Sequence, residues 1–223
     1  MKIENIISAK SSWFMDVRKL NPRGRNLYKV IIPQLLQWYG FTAPKEPFDE
    51  NAGVQFVNGE FSPSEDGRNG DLTGVSVTVY FNGLLAQTST STEESDRFIG
   101  QALARLFKEG IIDFDLSFVK SRRYQSELVV RSERPIKLPG LQKFCSTLTS
   151  MAYPESNESM FETSGIIFDT DVETLGLNRK RPQFTLERKI DVPWSENLYY
   201  SQAPLQTQQH INALDELEGM LAP

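Results

Sequence analysis

The sequence predicts an α+β fold: a mostly antiparallel β-sheet, with hairpins at 75–89 and 112–131, and amphipathic helices packed mainly on one face. Three observations carry this prediction. Apolar and polar residues alternate in short runs, an Asn-Gly pair at 82–83 sits between two such runs, and stretches of helical spacing separate the runs. Hairpins are the only strand pairings that the pattern specifies, which argues against a doubly wound parallel sheet.

Leu27, Tyr28, Ile31, Leu35 and Tyr39 recur at helical spacing, and Gly40 is a natural stop, so a helix interrupted or restarted at Pro33 is expected first. Val54, Phe56 and Asn58 then share one face of a short strand over 53–61. Residues 62–74, with three glycines, read as a solvated loop. Val75, Val77, Val79 and Phe81 alternate up to Asn82-Gly83, and a type I′ turn there places Phe81 opposite Leu84 and Val79 opposite Ala86. Ser91 to Glu94 has the capping-box form. Phe98, Ile99, Ala102, Leu103, Leu106 and Phe107 follow as a helical stripe, closed by Gly110.

Ile112, Phe114, Leu116 and Phe118 alternate with Asp113 and Asp115, and Tyr124 to Val130 supplies their expected partner strand. A second amphipathic helix shows Leu141, Phe144, Cys145, Leu148 and Ala152 on one face. Strands are expected over 165–168 and 183–190. An irregular aromatic segment, 191–206, precedes a C-terminal helix, 207–221, with His210, Leu214, Leu217 and Leu221 on one side. No internal repeat and no convincing boundary is visible, so one domain spanning 1–223 is expected.

With 39% hydrophobic and 24% charged residues the chain falls in the ordinary globular class. The single cysteine, Cys145, excludes an internal disulfide and points to a reducing, cytoplasmic setting. No run reaches the roughly 20 apolar residues of a membrane span, so no membrane partner is expected. The net charge of -5 disfavours nucleic-acid adhesion by the whole molecule. Residues 120–189 nevertheless carry 12 Lys/Arg against 9 Asp/Glu, while the rest carries 12 against 20.

Asp169 or Asp171 with Glu187 and Lys189 resembles the spacing by which two carboxylates hold Mg²⁺ while a lysine helps activate water. A solvated strand edge explains the same residues more economically. Asp113 and Asp115 share the polar face of their expected strand, where alternation alone accounts for them. One histidine and one cysteine exclude the usual structural zinc sets, and any Ser-His or Cys-His chemistry has to run through His210. His210 and Cys145 both read as packing residues. Phosphate-cradling glycine loops are missing. Arg122, Arg123, Arg179, Lys180 and Arg181 form a candidate phosphate-contacting set.

Trp194, Tyr199 and Tyr200 in the irregular segment are candidate partner-binding residues, because aromatics anchor interfaces, and the equal alternative is that the segment wraps its own domain's core. The expectation is a non-enzymatic protein-interaction or assembly component that needs no cofactor, part of a larger complex and self-associating through its C-terminal region. The alternative is a Mg²⁺-dependent nuclease, or a nucleic-acid-binding protein, using the basic second half.

Overall fold

The computed structural model describes residues 1–21, 24, 27–44, 53–63, 72–155, 160–171 and 182–221. Its strands are β1 (Lys2–Phe14), β2 (Val54–Phe61), β3 (Thr73–Tyr80), β4 (Gly83–Thr88), β5 (Ser121–Arg131), β6 (Gly165–Phe168), β7 (Phe184–Arg188) and β8 (Leu198–Ala203). They form one antiparallel sheet in the order β2-β3-β4-β1-β5-β8-β7-β6. The α-helices among the described residues are α1 (Leu27–Tyr39), α2 (Thr92–Lys108), α3 (Pro139–Ala152) and α4 (Thr207–Leu221). The fold is α+β with an antiparallel sheet, as the alternating runs imply. The chain groups into two compact units. The first holds Ile6–Ser126 with Leu205–Thr207, and the second holds Met1–Asn5, Glu127–Pro204 and Gln208–Pro223.

In the first unit, α1 and α2 share one apolar cluster with one face of the strands. Ile31, Leu35 and Tyr39 come from α1, Phe98, Ile99, Ala102, Leu103 and Leu106 from α2, and Val54, Phe56, Val75, Val77, Val79 and Ala86 from β2–β4. Phe107, expected in the α2 stripe, is exposed instead. Ser91 caps α2 by accepting from the Glu94 amide (3.1 Å). The Glu94 carboxylate accepts from Thr73 and Thr90.

A strand, not a helix, comes first. The pattern of β1 is obscured because its inward side carries Ala9, Ser11 and Trp13. Ser11 Oγ and Trp13 Nε1 both donate to Asp96 Oδ1, at 2.7 and 2.6 Å, so polar atoms are buried there without losing hydrogen bonds. In β2 a bulge with Asn58 in the left-handed region (φ 59) removes Asn58 from the inward face and brings Phe61 to it.

The β3–β4 hairpin forms, but its corner is one residue earlier than expected. Tyr80 faces Gly83, Val79 faces Leu84 and Val77 faces Ala86, so Phe81 and Asn82 make the turn and Phe81 is 60% exposed. Neither Asn82 nor Gly83 is in the left-handed region that a type I′ turn at 82–83 would need. Gly83 is required for another reason. It lies in β4 against Phe14 of β1, and a Cβ there would sit 2.3 Å from the Trp13 carbonyl oxygen. The corner carbonyls are also used: Met15 N donates to Asn82 O (3.0 Å) and Val17 N to Phe81 O (3.3 Å). Gly83→Ala is therefore expected to cost about 1–3 kcal/mol by forcing β1 and β4 apart, and Asn82→Ala well under 1. Urea midpoints of the two variants check this, and the reverse ranking would restore the type I′ turn.

The hairpin expected at 112–131 does not form in its first half. Ile112 is buried, but Asp113 N donates to Leu20 O (2.8 Å), and Asp115 caps a 3-10 turn, Leu116–Phe118, by accepting from Ser117 N (2.7 Å). Local capping by an aspartate competes with strand pairing, and here it wins. β5 finds its neighbours in β1 and β8 instead.

In the second unit, β6, β7 and β8 form an antiparallel meander; the pattern predicts strands over 165–168 and 183–190, but neither their pairing nor β8. The expected irregular segment 191–206 is structured. A 3-10 turn, Trp194–Glu196, leads into β8, whose inward positions are Tyr199, Ser201 and Ala203. The apolar stripe expected to bury α3 also points differently. Cys145 and Thr149 are the buried positions, Leu148 is half-buried, and Leu141, Phe144 and Ala152 are exposed.

Candidate functional site

The carboxylates proposed for Mg²⁺ are separated by the register of the β6–β7 hairpin. Phe168 faces Phe184 and Gly165 faces Glu187, so Asp169 follows the end of β6 that lies farthest from Glu187. Four residues of extended chain separate the two levels, roughly 13 Å. Asp169 Oδ2 instead accepts from Gln183 Nε2 (3.1 Å), and Asp171 is exposed beyond the end of β6 in the chain. Glu187 and Lys189 are exposed near the opposite end, where Lys189 N donates to Leu198 O (3.0 Å). Among the described residues no group of three His, Cys, Asp or Glu side chains is placed to hold a metal ion.

The one Ser-His pair is buried within the second unit. His210 Nε2 lies 2.8 Å from Ser201 Oγ, and both residues have 0% exposure. Ser201 Oγ also donates to the Thr185 carbonyl (2.7 Å). A hydroxyl has one proton, and the carbonyl oxygen only accepts, so Nε2 is the donor to Ser201. That fixes the imidazole as the Nε2–H tautomer, the opposite of what a general base toward Ser201 requires. Burial holds the His210 pKa down at about 4, so the ring is neutral, and the Phe184 ring meets it edge-on at 5.5 Å. The pair is a packing unit.

Tyr199 and Tyr200 are parts of β8. Tyr199 is 2% exposed, and its hydroxyl accepts from the Ile136 amide (2.9 Å). Tyr200 is half-buried on the opposite side of the strand. Burial, with Glu127 and Glu187 adding to it, pushes its phenol up to about 12. Trp194 is exposed but engaged: the Arg188 guanidinium lies 4.8 Å from its ring centre, Arg188 Nη1 donates to the Trp194 carbonyl (3.1 Å) and Nη2 to Glu162 (3.1 Å).

In the first unit, Arg122 stacks on Trp13 at 3.9 Å and pairs with Asp96 at 3.0 Å, while Arg123 lies over Phe14 at 5.3 Å. Both rings are covered by the guanidinium groups expected to meet phosphate. Arg179, Lys180 and Arg181 lie outside the described residues.

What the structure adds is an apolar surface on α3 and the segment after it. Leu141, Phe144 (59% exposed), Met151 (76%), Tyr153, Met160 and Phe161 are all exposed, and the Tyr153 and Phe161 rings lie 6.1 Å apart. The edge strand β6 adds Ile167 and Phe168, also exposed. In the strand order β6 has β7 as its one neighbour, so its other side carries backbone groups free of ladder pairing among the described residues. The sequence signal for the helix surface was present in the stripe Leu141, Phe144, Leu148. What it lacked was the side on which the core lies.

No helix among the described residues is long and apolar enough to cross a membrane. No protein-family model and no curated protein sequence matches the chain.

Proposed function

We propose that the chain is a non-enzymatic assembly component that associates with a second copy of itself through the second unit. The observation that carries this reading is the apolar surface of α3, where Leu141, Phe144 and Met151 face outward while a cysteine and a threonine face the core. Large side chains are costly to leave in water, and clustered exposed ones mark interaction surfaces. The edge strand β6, with Ile167 and Phe168 exposed, favours a second copy as the occupant. An antiparallel edge pairs with itself across a two-fold axis, each residue meeting its counterpart's partner. Of the aromatic residues of 191–206, Tyr199 is spent on its own unit's interior, so the reading rests on α3 and β6.

Light scattering on the eluting protein tests the reading. The intact chain is expected to elute above its monomer mass of 25.4 kDa. Phe144→Glu and Ile167→Glu are each expected to return it to monomer, with unchanged far-UV circular dichroism. A parent that stays monomeric up to the highest soluble concentration would overturn the proposal.

A further inference from the structure

We infer that the chain is a tandem duplication of one β-α-β-β-β-α module. Among the described residues the first copy runs β1, α1, β2, β3, β4, α2, and the second runs β5, α3, β6, β7, β8, α4. The strand order within each is the same: β2-β3-β4-β1 in the first and β6-β7-β8-β5 in the second. Register agrees as well. Phe56 faces Val77 and Val77 faces Ala86 across the first copy's strands, while Ile166 faces Leu186 and Leu186 faces Ser201 across the second's.

The correspondence becomes residue by residue over the last strand and helix. β4 (Gly83–Thr88) and β8 (Leu198–Ala203) match in length, and α2 and α4 begin at Thr92 and Thr207, so one constant offset of 115 positions carries both elements with no gap. Under that offset five buried positions fall on buried positions, Ala86 on Ser201, Thr88 on Ala203, Thr92 on Thr207, Ser95 on His210 and Ile99 on Leu214, and the other buried positions of α2, Phe98, Ala102, Leu103 and Leu106, fall on half-buried ones. The two helix starts also mirror each other chemically. Thr92 N donates to Thr207 Oγ1 (2.9 Å), and Thr207 N donates to Thr92 Oγ1 (2.8 Å), so each threonine accepts from the other's amide.

The repeat is hidden in the sequence. Over 83–106 and 198–221 only Gln87/Gln202, Thr92/Thr207 and Leu106/Leu221 are identical. What the copies share is the inward periodicity of a strand and a helix, which very different side chains satisfy. Where they depart, they depart locally. A two-residue corner, Phe81 and Asn82, becomes the nine-residue connection 189–197 with its Arg188–Trp194 stack, and the buried Ile31 and Leu35 of α1 give way to Cys145 and Thr149 in α3. The second copy is the one that has been resurfaced.

An experimental structure of the intact chain tests the duplication directly. Residues 83–106 are expected to superpose on 198–221 with each residue on the one 115 positions later, and α1 to fall on α3 in the same superposition. A register shift between β8 and α4, or α3 crossing the opposite face of its strands from α1, would overturn it. A solution test reads the same symmetry. Thr92→Val and Thr207→Val are each expected to lower the folding equilibrium constant by a similar factor, on the order of tenfold. The double variant is expected to lose less than the product, because the hydrogen bond from Thr207 Oγ1 to Thr92 Oγ1 (3.2 Å) is lost in either single variant. A large loss from one threonine with none from the other would remove the equivalence.

Discussion

Lowering the pH from 7.5 to 5.0 is expected to remove about 2 kcal/mol of folding stability, and His210 is the cause. The unfolded chain carries this histidine with a pKa near 6.5, whereas burial against Phe184 and Ser201 holds it at about 4 in the folded chain. Between those values the unfolded state binds a proton that the folded state refuses, so stability falls as pH falls, and the full loss by pH 4 is about 3 kcal/mol. His210 is the only histidine, the Glu4 and Asp16 carboxylates are held below their ordinary values by partners, and the Met1 amino group is held above its own. Urea unfolding of the parent and of His210→Gln at the two pH values checks the assignment. The variant is expected to be less stable at pH 7.5 and to lose little more by pH 5.0. Equal losses in parent and variant would place the acid sensitivity elsewhere.

That effect was not legible in the sequence, although its residue was. His210 stands on the apolar stripe of a helix whose bounds the pattern gives correctly, but its partner Ser201 sits in β8, which the pattern conceals. β8 alternates Tyr199, Ser201 and Ala203 inward, two of them small and one of those polar, so the period of two carries little hydrophobic contrast. β1 is concealed in the same way by Ala9 and Ser11. By contrast, β3 turns Val75, Val77 and Val79 inward, and α2 turns Phe98, Ile99 and Leu103. Large inward residues make both elements readable. The 112–118 run shows the opposite error, since perfect alternation was formed there by a capped turn.

The candidate site divides along a similar line. Local pattern identifies which residues lie on strands and helices, but function depends on which ends meet. The Asp169 and Glu187 levels are set apart by antiparallel pairing, a property of register that no spacing in the chain encodes. The α3 stripe was visible as a stripe, and only the fold decides that Phe144 and Met151 face away from the core. Arg122 illustrates the third case, a charge whose meaning is fixed by Trp13 and Asp96, more than a hundred and about twenty-five positions away respectively.

Phe98→Ala is expected to cost about 3–5 kcal/mol, the largest single loss from any substitution considered. Phe98 is fully buried in α2, and three aromatic rings meet it edge-on: Tyr39 at 5.0 Å, Phe61 at 5.1 Å and Phe41 at 6.1 Å. These come from the end of α1, the residue after its stop, and the end of β2, so one side chain joins three elements that are distant in sequence. Removing the ring loses its own transfer energy and leaves a cavity that the rigid elements around it cannot close. The sum is a large part of the 5–15 kcal/mol that holds a typical domain together. Phe107→Ala is the control, because the sequence places both residues on one stripe and the structure separates them. Phe107 lies exposed on the same helix, and its loss is expected within about 0.5 kcal/mol of the parent. Urea denaturation followed by tryptophan fluorescence distinguishes the two. Comparable costs at both positions would mean that α2 is rotated about its axis from the placement described.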